Sequence, residues 1–357
     1  MPPTPTAAES REQIEPLLSV RDLRVVFELE EGTVRAVDGV SFNVRAGQVV
    51  GIVGESGCGK SVTMKAILQL IETPGRISRG EILYRQNGAR PRVLDLTRLQ
   101  PRGALMRALR GAEIALIPQE PMAAFSPVHT VGQQIIEAIM LHASRHPDGR
   151  SISRHDARVM TIELFRDVGI SMPEQRVDAY SWQLSGGLRQ RAMIAMALSC
   201  RPRLLIADEP TTAIDVTTQA QILALLRELQ RKYDTAIIFI THDLGVIAQV
   251  AHYVVVMYLG SVMEEGPVDD IFHAPKHPYT KALLRSIPSL YGETRMILPV
   301  IAGALPHPFN RPPGCPFHPR CDLVIPHRCA HAVPRLVPVG LQQQASCFLY
   351  HDPAEPA

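Results

Sequence analysis

The chain carries Gly54-Glu55-Ser56-Gly57-Cys58-Gly59-Lys60-Ser61, a Gly-x-x-x-x-Gly-Lys-Ser spacing that can wrap the phosphates of a nucleotide. Its glycines let backbone N–H groups turn inward onto an anion, and a helix starting at Ser61 would add favourable partial charge. Lys60 is expected at the β- and γ-phosphates and the Ser61 hydroxyl on Mg²⁺. Gly54, Ser56, Gly57, Cys58, Gly59 and Val62 complete the cradle. A second group is Asp208-Glu209, two carboxylates closing the apolar run Leu204-Leu205-Ile206-Ala207. Carboxylates at a strand's C-terminal end suit Mg²⁺ binding by Asp208 and polarisation of an attacking water by Glu209. A solvated strand end is the plainer alternative. Ser185-Gly186-Gly187 opens a long helical stretch and reads as another anion cradle, although alone it could be only a turn and a cap.

These groups require particular elements. Gln48–Val53 is apolar and partly β-branched, a buried strand feeding the loop, and Ser61–Leu68 reads as the helix that follows it. Leu18–Phe42 alternates in polarity, predicting strands joined around Glu30-Glu31-Gly32. From Pro121 to about Arg176 the pattern turns helical, with Val131–Met140 and Arg158–Phe165 separated by the break His146-Pro147-Asp148-Gly149. Beyond Asp208, a helix over Gln219–Arg231 and a strand over Ala236–Ile240 continue a parallel α/β core. Gln119 follows the strand Ala115-Leu116-Ile117, and His242 closes the strand ending at Thr241. Either would pass for an ordinary residue in isolation.

The phosphate loop, Gln119, Leu184-Ser185-Gly186-Gly187, Leu204–Glu209, Asp215 and Thr241-His242-Asp243 stand in the order of an ATP-binding-cassette (ABC) ATPase, which the chain resembles over about residues 18–290. The closer resemblance is to ATPase subunits of oligopeptide, dipeptide and nickel importers. It is carried by the phosphate loop, Pro118-Gln119-Glu120-Pro121, Glu264-Glu265-Gly266-Pro267, His277-Pro278-Tyr279-Thr280 and Gly314-Cys315-Pro316-Phe317-His318-Pro319-Arg320-Cys321. The resemblance implies an α/β P-loop fold: a RecA-like core, an antiparallel β region, a helical subdomain at about 121–190, and a small Cys-rich extension over 291–357. It also implies roles. Phe27 matches the aromatic that stacks on adenine, unless it is an ordinary core phenylalanine. Gln119 would meet Mg²⁺ and the water, His242 the γ-phosphate. Ser185, Gly186, Gly187 and Asp215 would face the nucleotide of a second cassette. Ile214 stands where leucine is usual, an apolar exchange of little consequence. The implied partners are a second, paralogous ATPase, two transmembrane permeases and, indirectly, an extracytoplasmic binding protein. The implied location is peripheral, on the cytoplasmic face of the inner membrane.

Bulk properties agree with that class. Net charge is +2 over 357 residues, which gives no electrostatic case for nucleic acid. Arg102, Arg107 and Arg110 read as a solvated helical face. The alternative function, a soluble cassette acting on ribosomes or nucleic acid, would call for basic arms or a second cassette. No apolar run has the length of a membrane span, and residues 1–17 read as a disordered tail without a signal sequence. Cys58 and Cys200 are expected to be packing residues. Cys315, Cys321, Cys329 and Cys347 lie together in a proline-rich tail that lacks the close cysteine pair usual for zinc. Four thiolates can hold a [4Fe–4S] cluster, and tails of this type in peptide-importer ATPases resemble cluster-binding regions. Zinc, or no metal, are the alternatives.

Overall fold

The structure, a computed structural model, describes residues 15–86, 92–120, 124–143, 152–212, 214–287 and 301–352. These form two compact units, Met1–Arg98 with Thr241–Ala357, and Leu99–Ile240. The N-terminal tail expected up to residue 17 lies largely outside the described residues. Leu17 is buried, and its carbonyl accepts the Arg85 N–H.

The first unit opens with β1 (Leu18–Leu29) and β2 (Gly32–Val44), antiparallel and joined at Glu30-Glu31. The inward face of β1 changes phase, from Leu18 and Val20 to Leu23 and Val25. A register shift there, with Asp22 at φ 42°, absorbs the extra residue. β3 (Val49–Val53) is buried throughout, and α1 (Lys60–Ile67) follows the phosphate loop. β4 (Gly75–Gln86) and β5 (Arg92–Asp95) extend the antiparallel sheet in the order β2-β1-β4-β5.

The second unit begins with α2 (Ala104–Leu109) and β6 (Ile114–Ile117). Two helices then start on capping boxes: α3 (Val131–Leu141) on Thr130 and Gln133, α4 (Arg154–Asp167) on Ser153 and Asp156. Each box satisfies two otherwise orphaned groups and fixes where its helix begins. α3 buries Val131, Ile135, Ile136 and Ile139, and α4 buries Ala157, Thr161, Leu164 and Phe165. The expected break at 146–149 lies outside the described residues. α5 (Pro173–Arg176) is a single turn, and α6 (Gly186–Leu198) is the helix opened by Ser185. β7 (Leu204–Asp208), α7 (Val216–Tyr233) and β8 (Ala236–Ile240) complete the unit, with β7 parallel to both β6 and β8. Neither β7 nor β8 alternates in polarity, as expected of parallel strands covered on both faces.

The chain then returns to the first unit with α8 (Leu244–Val250), β9 (Tyr253–Tyr258) and β10 (Ser261–Pro267). β9 pairs parallel with β3 and antiparallel with β10. Gly51 is required in β3, because a Cβ there would come within 2.8 Å of Ile247 on α8. α9 (Val268–His273) and α10 (Pro278–Arg285) lead to the tail, where β11 (Val337–Pro338) and β12 (Gln344–Ala345) pair with each other and β12 pairs with β10. Among the described residues, no helix is long and apolar enough to cross a membrane.

Candidate functional site

In the first unit, β3 delivers the chain into the phosphate loop and Gly59, at φ 97°, turns it into α1. Gly54 and Gly59 admit no side chain: a Cβ would overlap the Met257 carbonyl oxygen at one and the Ala36 carbonyl oxygen at the other. Gly57 differs. It has φ 77°, and a Cβ there would meet nothing within 4 Å, so its bareness keeps a space in front of the loop clear. Lys60 is almost wholly buried. Its ammonium donates to the carbonyls of Gly54 (2.7 Å) and Glu55 (3.1 Å) and lies 3.7 Å from Cys58 Sγ. Burial pushes the Cys58 thiol up against the opposing pull of Lys60, which keeps it a neutral packing group. Phe27 is half-buried on β1, its ring lying over Gly75, where a Cβ would come within 2.5 Å of Cε1. His242 is exposed just before α8, whose N-terminus Asp243 caps by accepting the N–H groups of Gly245 and Val246.

In the second unit, Asp208 ends β7 and Glu209 turns the chain away at φ 47°, a strained conformation for a side chain of this size. Gln119 and Thr212 both hold the Glu209 carboxylate. Gln119 Nε2 donates to Oε2 at 3.2 Å and Thr212 Oγ1 donates to the same atom at 2.9 Å. The carboxamide and the carboxylate singled out 90 residues apart thus meet in space. Ser185 is the N-cap of α6 and accepts the Leu188 N–H at 3.4 Å. A Cβ on Gly186 would meet nothing within 4 Å, so this second glycine cradle is also open. Gln190, buried on α6, donates to the Pro210 carbonyl at 2.6 Å and ties the helix to the turn carrying Glu209. Asp215 caps α7 through the Thr218 N–H and hydroxyl, bonds that hold its carboxyl below the usual range. Arg102 and Arg107 are exposed as expected, whereas Arg110 is half-buried and burial lowers its pKa.

The tail is docked by the motifs that set the closer resemblance. Glu264 is fully buried, and its carboxylate accepts the N–H groups of Lys276 (2.7 Å) and His277 (2.9 Å) and the Gln343 amide (2.8 Å). Burial pushes its pKa up while these bonds pull it down. His277 caps α10, and burial drives its pKa down to about 3, so it is a neutral structural imidazole. Phe317 packs against the rings of Tyr258 and Tyr279 at 5.3 and 5.2 Å. Cys315, Cys321, Cys329 and Cys347 are free thiols. Cys315 feels the charge of each of the other three. Each sulfur also has a backbone N–H directed at it, from Phe317, Leu323, Ile325 and Leu349 for Cys315, Cys321, Cys329 and Cys347. Burial pushes Cys315 up to about 12 and Cys347 to about 11, and raises Cys321. Among the described residues, no three His, Cys, Asp or Glu side chains are grouped so as to hold one metal ion.

Residues 37–212 match the model of the family described as ABC transporter, and residues 263–329 match that of the oligopeptide/dipeptide transporter C-terminal region. The dipeptide transport ATP-binding protein DppD of Escherichia coli (strain K12) is 46% identical over 338 residues, covering 95% of this chain and 98% of that one. The oligopeptide transport ATP-binding protein OppD of Bacillus subtilis (strain 168) is 48% identical over 302 residues, covering 84% and 80%. The chain belongs to the ABC transporter ATP-binding family.

The ABC fold extends to distant structures. The ATP-binding cassette MJ0796 bound to ADP and Pi superposes with a TM-score of 0.60 at 23% identity, covering 70% of this chain and 98% of that one. The cbiO1 protein of Clostridium perfringens gives 0.55 at 23% identity, with 73% and 92% covered. Within the ABC chain described here, three contributors escaped the sequence reading. Thr212 and Gln190 flank the Glu209 turn, and Tyr279 donates no chemistry but accepts the Glu55 N–H at 3.0 Å. Tyr279 lies in a motif whose only sequence signal was resemblance.

Proposed function

We propose that the chain is the ATP-hydrolysing subunit that powers import of peptides through an inner-membrane ABC transporter. The observation that carries this reading is 46% identity over an alignment that spans 95% of this chain and 98% of a dipeptide transport ATP-binding protein. That relatives are named for transport disfavours the ribosome or nucleic-acid alternative.

In this reading Lys60 leaves the Gly54 and Glu55 carbonyls for the β- and γ-phosphates, while the loop N–H groups, with Gly57 bare, close on the same oxygens. Phe27 stacks on the adenine. Ser61, Asp208 and Gln119 would hold Mg²⁺, which would neutralise charge developing on the phosphates. Glu209 accepts a hydrogen bond from the attacking water and aligns it, with Gln119 and Thr212 fixing its carboxylate. His242 donates to the γ-phosphate and steadies the transition state. Ser185, Gly186, Gly187 and Asp215 act on the nucleotide of a second, paralogous cassette. The open space at Gly186 supports that assignment. The chain would sit on the cytoplasmic face against two permease subunits, with the binding protein reached through them.

The Cys-rich extension would hold a [4Fe–4S] cluster on Cys315, Cys321, Cys329 and Cys347. The donor type suits it, since four free thiols lie within electrostatic reach of one another. Among the described residues, however, no three are grouped to hold one metal ion, and burial favours the protonated forms of Cys315, Cys321 and Cys347. The four would therefore have to draw together and lose their protons on binding. A cluster would cross-link a segment with little apolar surface of its own. Anaerobic purification should give iron and acid-labile sulfide in near-equal amounts, and zinc or no metal would overturn this part. For transport, the test is peptide-dependent ATP hydrolysis and labelled-dipeptide uptake by the assembled transporter. Stimulation by another solute and by no peptide would overturn peptide import and leave the ATPase.

A further inference from the structure

Glu55, the second residue of the phosphate loop, has all three of its polar groups engaged. Its N–H donates to Tyr279 Oη at 3.0 Å and its carbonyl accepts Lys60 Nζ at 3.1 Å. Its carboxylate takes both terminal nitrogens of Arg320, at 2.7 and 3.1 Å. Arg320 lies in the five-residue stretch between Cys315 and Cys321, and its side chain is only 5% exposed against 26% for Glu55. Its remaining donors are also used. Nε donates to the Ala302 carbonyl at 3.1 Å, Nη1 to Tyr258 Oη at 3.3 Å and Nη2 to the Ile301 carbonyl at 3.4 Å, and the guanidinium lies 5.7 Å from the centre of the Tyr258 ring. Phe317, three residues earlier, packs on the same tyrosine and on Tyr279. The segment that carries two of the four thiols is therefore bolted to the loop that carries Lys60.

This geometry has two consequences for an anionic ligand. A bidentate guanidinium–carboxylate pair fixes orientation as well as distance. It thus fixes the peptide on either side of Glu55, including the carbonyl on which Lys60 rests. It also cancels a negative charge that would otherwise stand, without a counterion, in a loop built to receive phosphates. We propose that Arg320 is a positioning residue for the nucleotide, acting through Glu55 on the phosphate loop, so that ATP affinity depends on the order of residues 315–321. The proposal rests on the reading of that loop as the nucleotide site. The sequence gives no hint of it: tail and loop lie 265 residues apart and read as independent.

The test is the dissociation constant for ATP with Mg²⁺, by calorimetry on the purified full-length chain. Arg320→Gln should weaken binding about tenfold or more, since it strands a carboxylate whose partner was almost fully buried. Arg320→Lys, which keeps the charge but not the fork, should fall between Arg320→Gln and wild type. Glu55→Gln added to Arg320→Gln removes the stranded charge and should recover most of the lost affinity. An unfolded protein could not show that recovery. Arg320→Gln binding as tightly as wild type, or a double variant no better than the single, would overturn the proposal while wild type still binds ATP. A wild-type chain that does not bind ATP, behaving like Lys60→Ala, would overturn the nucleotide reading itself.

Discussion

Replacing Glu265 by Gln should remove a pH dependence from the stability of this protein. Glu265 lies on β10, is 8% exposed, and has Oε2 buried without a hydrogen-bond partner. Burial raises its pKa to about 7 from 4.5, against a smaller opposing pull from the Tyr253 hydroxyl. The folded protein therefore keeps this proton over a range in which the unfolded chain has released it. Stability contributed by the group is fully present below about pH 4.5, is lost as pH rises towards 7, and stays lost above. A shift of about 2.5 units at 1.36 kcal/mol each gives a loss of about 3 kcal/mol. Glutamine does not titrate, so this loss should vanish in Glu265→Gln. The quantity to read is the stability difference between variant and wild type at pH 8 minus that at pH 4. Any fixed cost of burying an amide cancels in that subtraction. Urea unfolding followed by circular dichroism at both pH values measures it. A difference near zero would refute the argument, because it would mean that Glu265 is ionised in the folded protein at little cost.

Glu209→Gln should leave ATP affinity intact and lower turnover by about two to four orders of magnitude, the usual share of a group that orients an attacking water. Steady-state hydrolysis near the wild-type rate, in an assembly whose partner cassette is equally disabled, would remove Glu209 from the chemistry. Gly57→Ala should separate fold from function. At φ 77° with open space around it, alanine costs about 1–2 kcal/mol of stability but projects into the region kept clear for phosphate. ATP affinity falling no more than stability does would count against the loop as the phosphate site.

The nucleotide chemistry was legible because each part is written in a few adjacent residues. Gly54 to Ser61 names its own mechanism, whereas the caps Thr130 with Gln133 and Ser153 with Asp156, which fix where two helices begin, were not read from the sequence. The strands β3, β6, β7 and β8 followed from runs of apolar residues, and β1 from alternating polarity. The bulge at Asp22 did not, since alternation shows two phases without saying where the chain shifts between them. Gln119 and Glu209 could be paired only through resemblance, as nothing local to either points to the other. The docking of the tail was beyond reach for the same reason. Glu264 with Gln343 and Glu55 with Arg320 are long-range pairs of common residue types.

The pairing of β12 with β10 has a meaning for solubility. Ala345 and Gln344 lie against Glu264 and Glu265, and Ser346 donates its N–H to the Met263 carbonyl at 2.8 Å. A strand presenting unpaired N–H and C=O groups is a template on which a second chain can add. Residues 344–346 thus act as a built-in stopper, occupying with the chain's own backbone a place that a neighbouring molecule would otherwise fill. A cassette cut before residue 301 would expose that template, and its first failing would be clumping rather than loss of the phosphate loop.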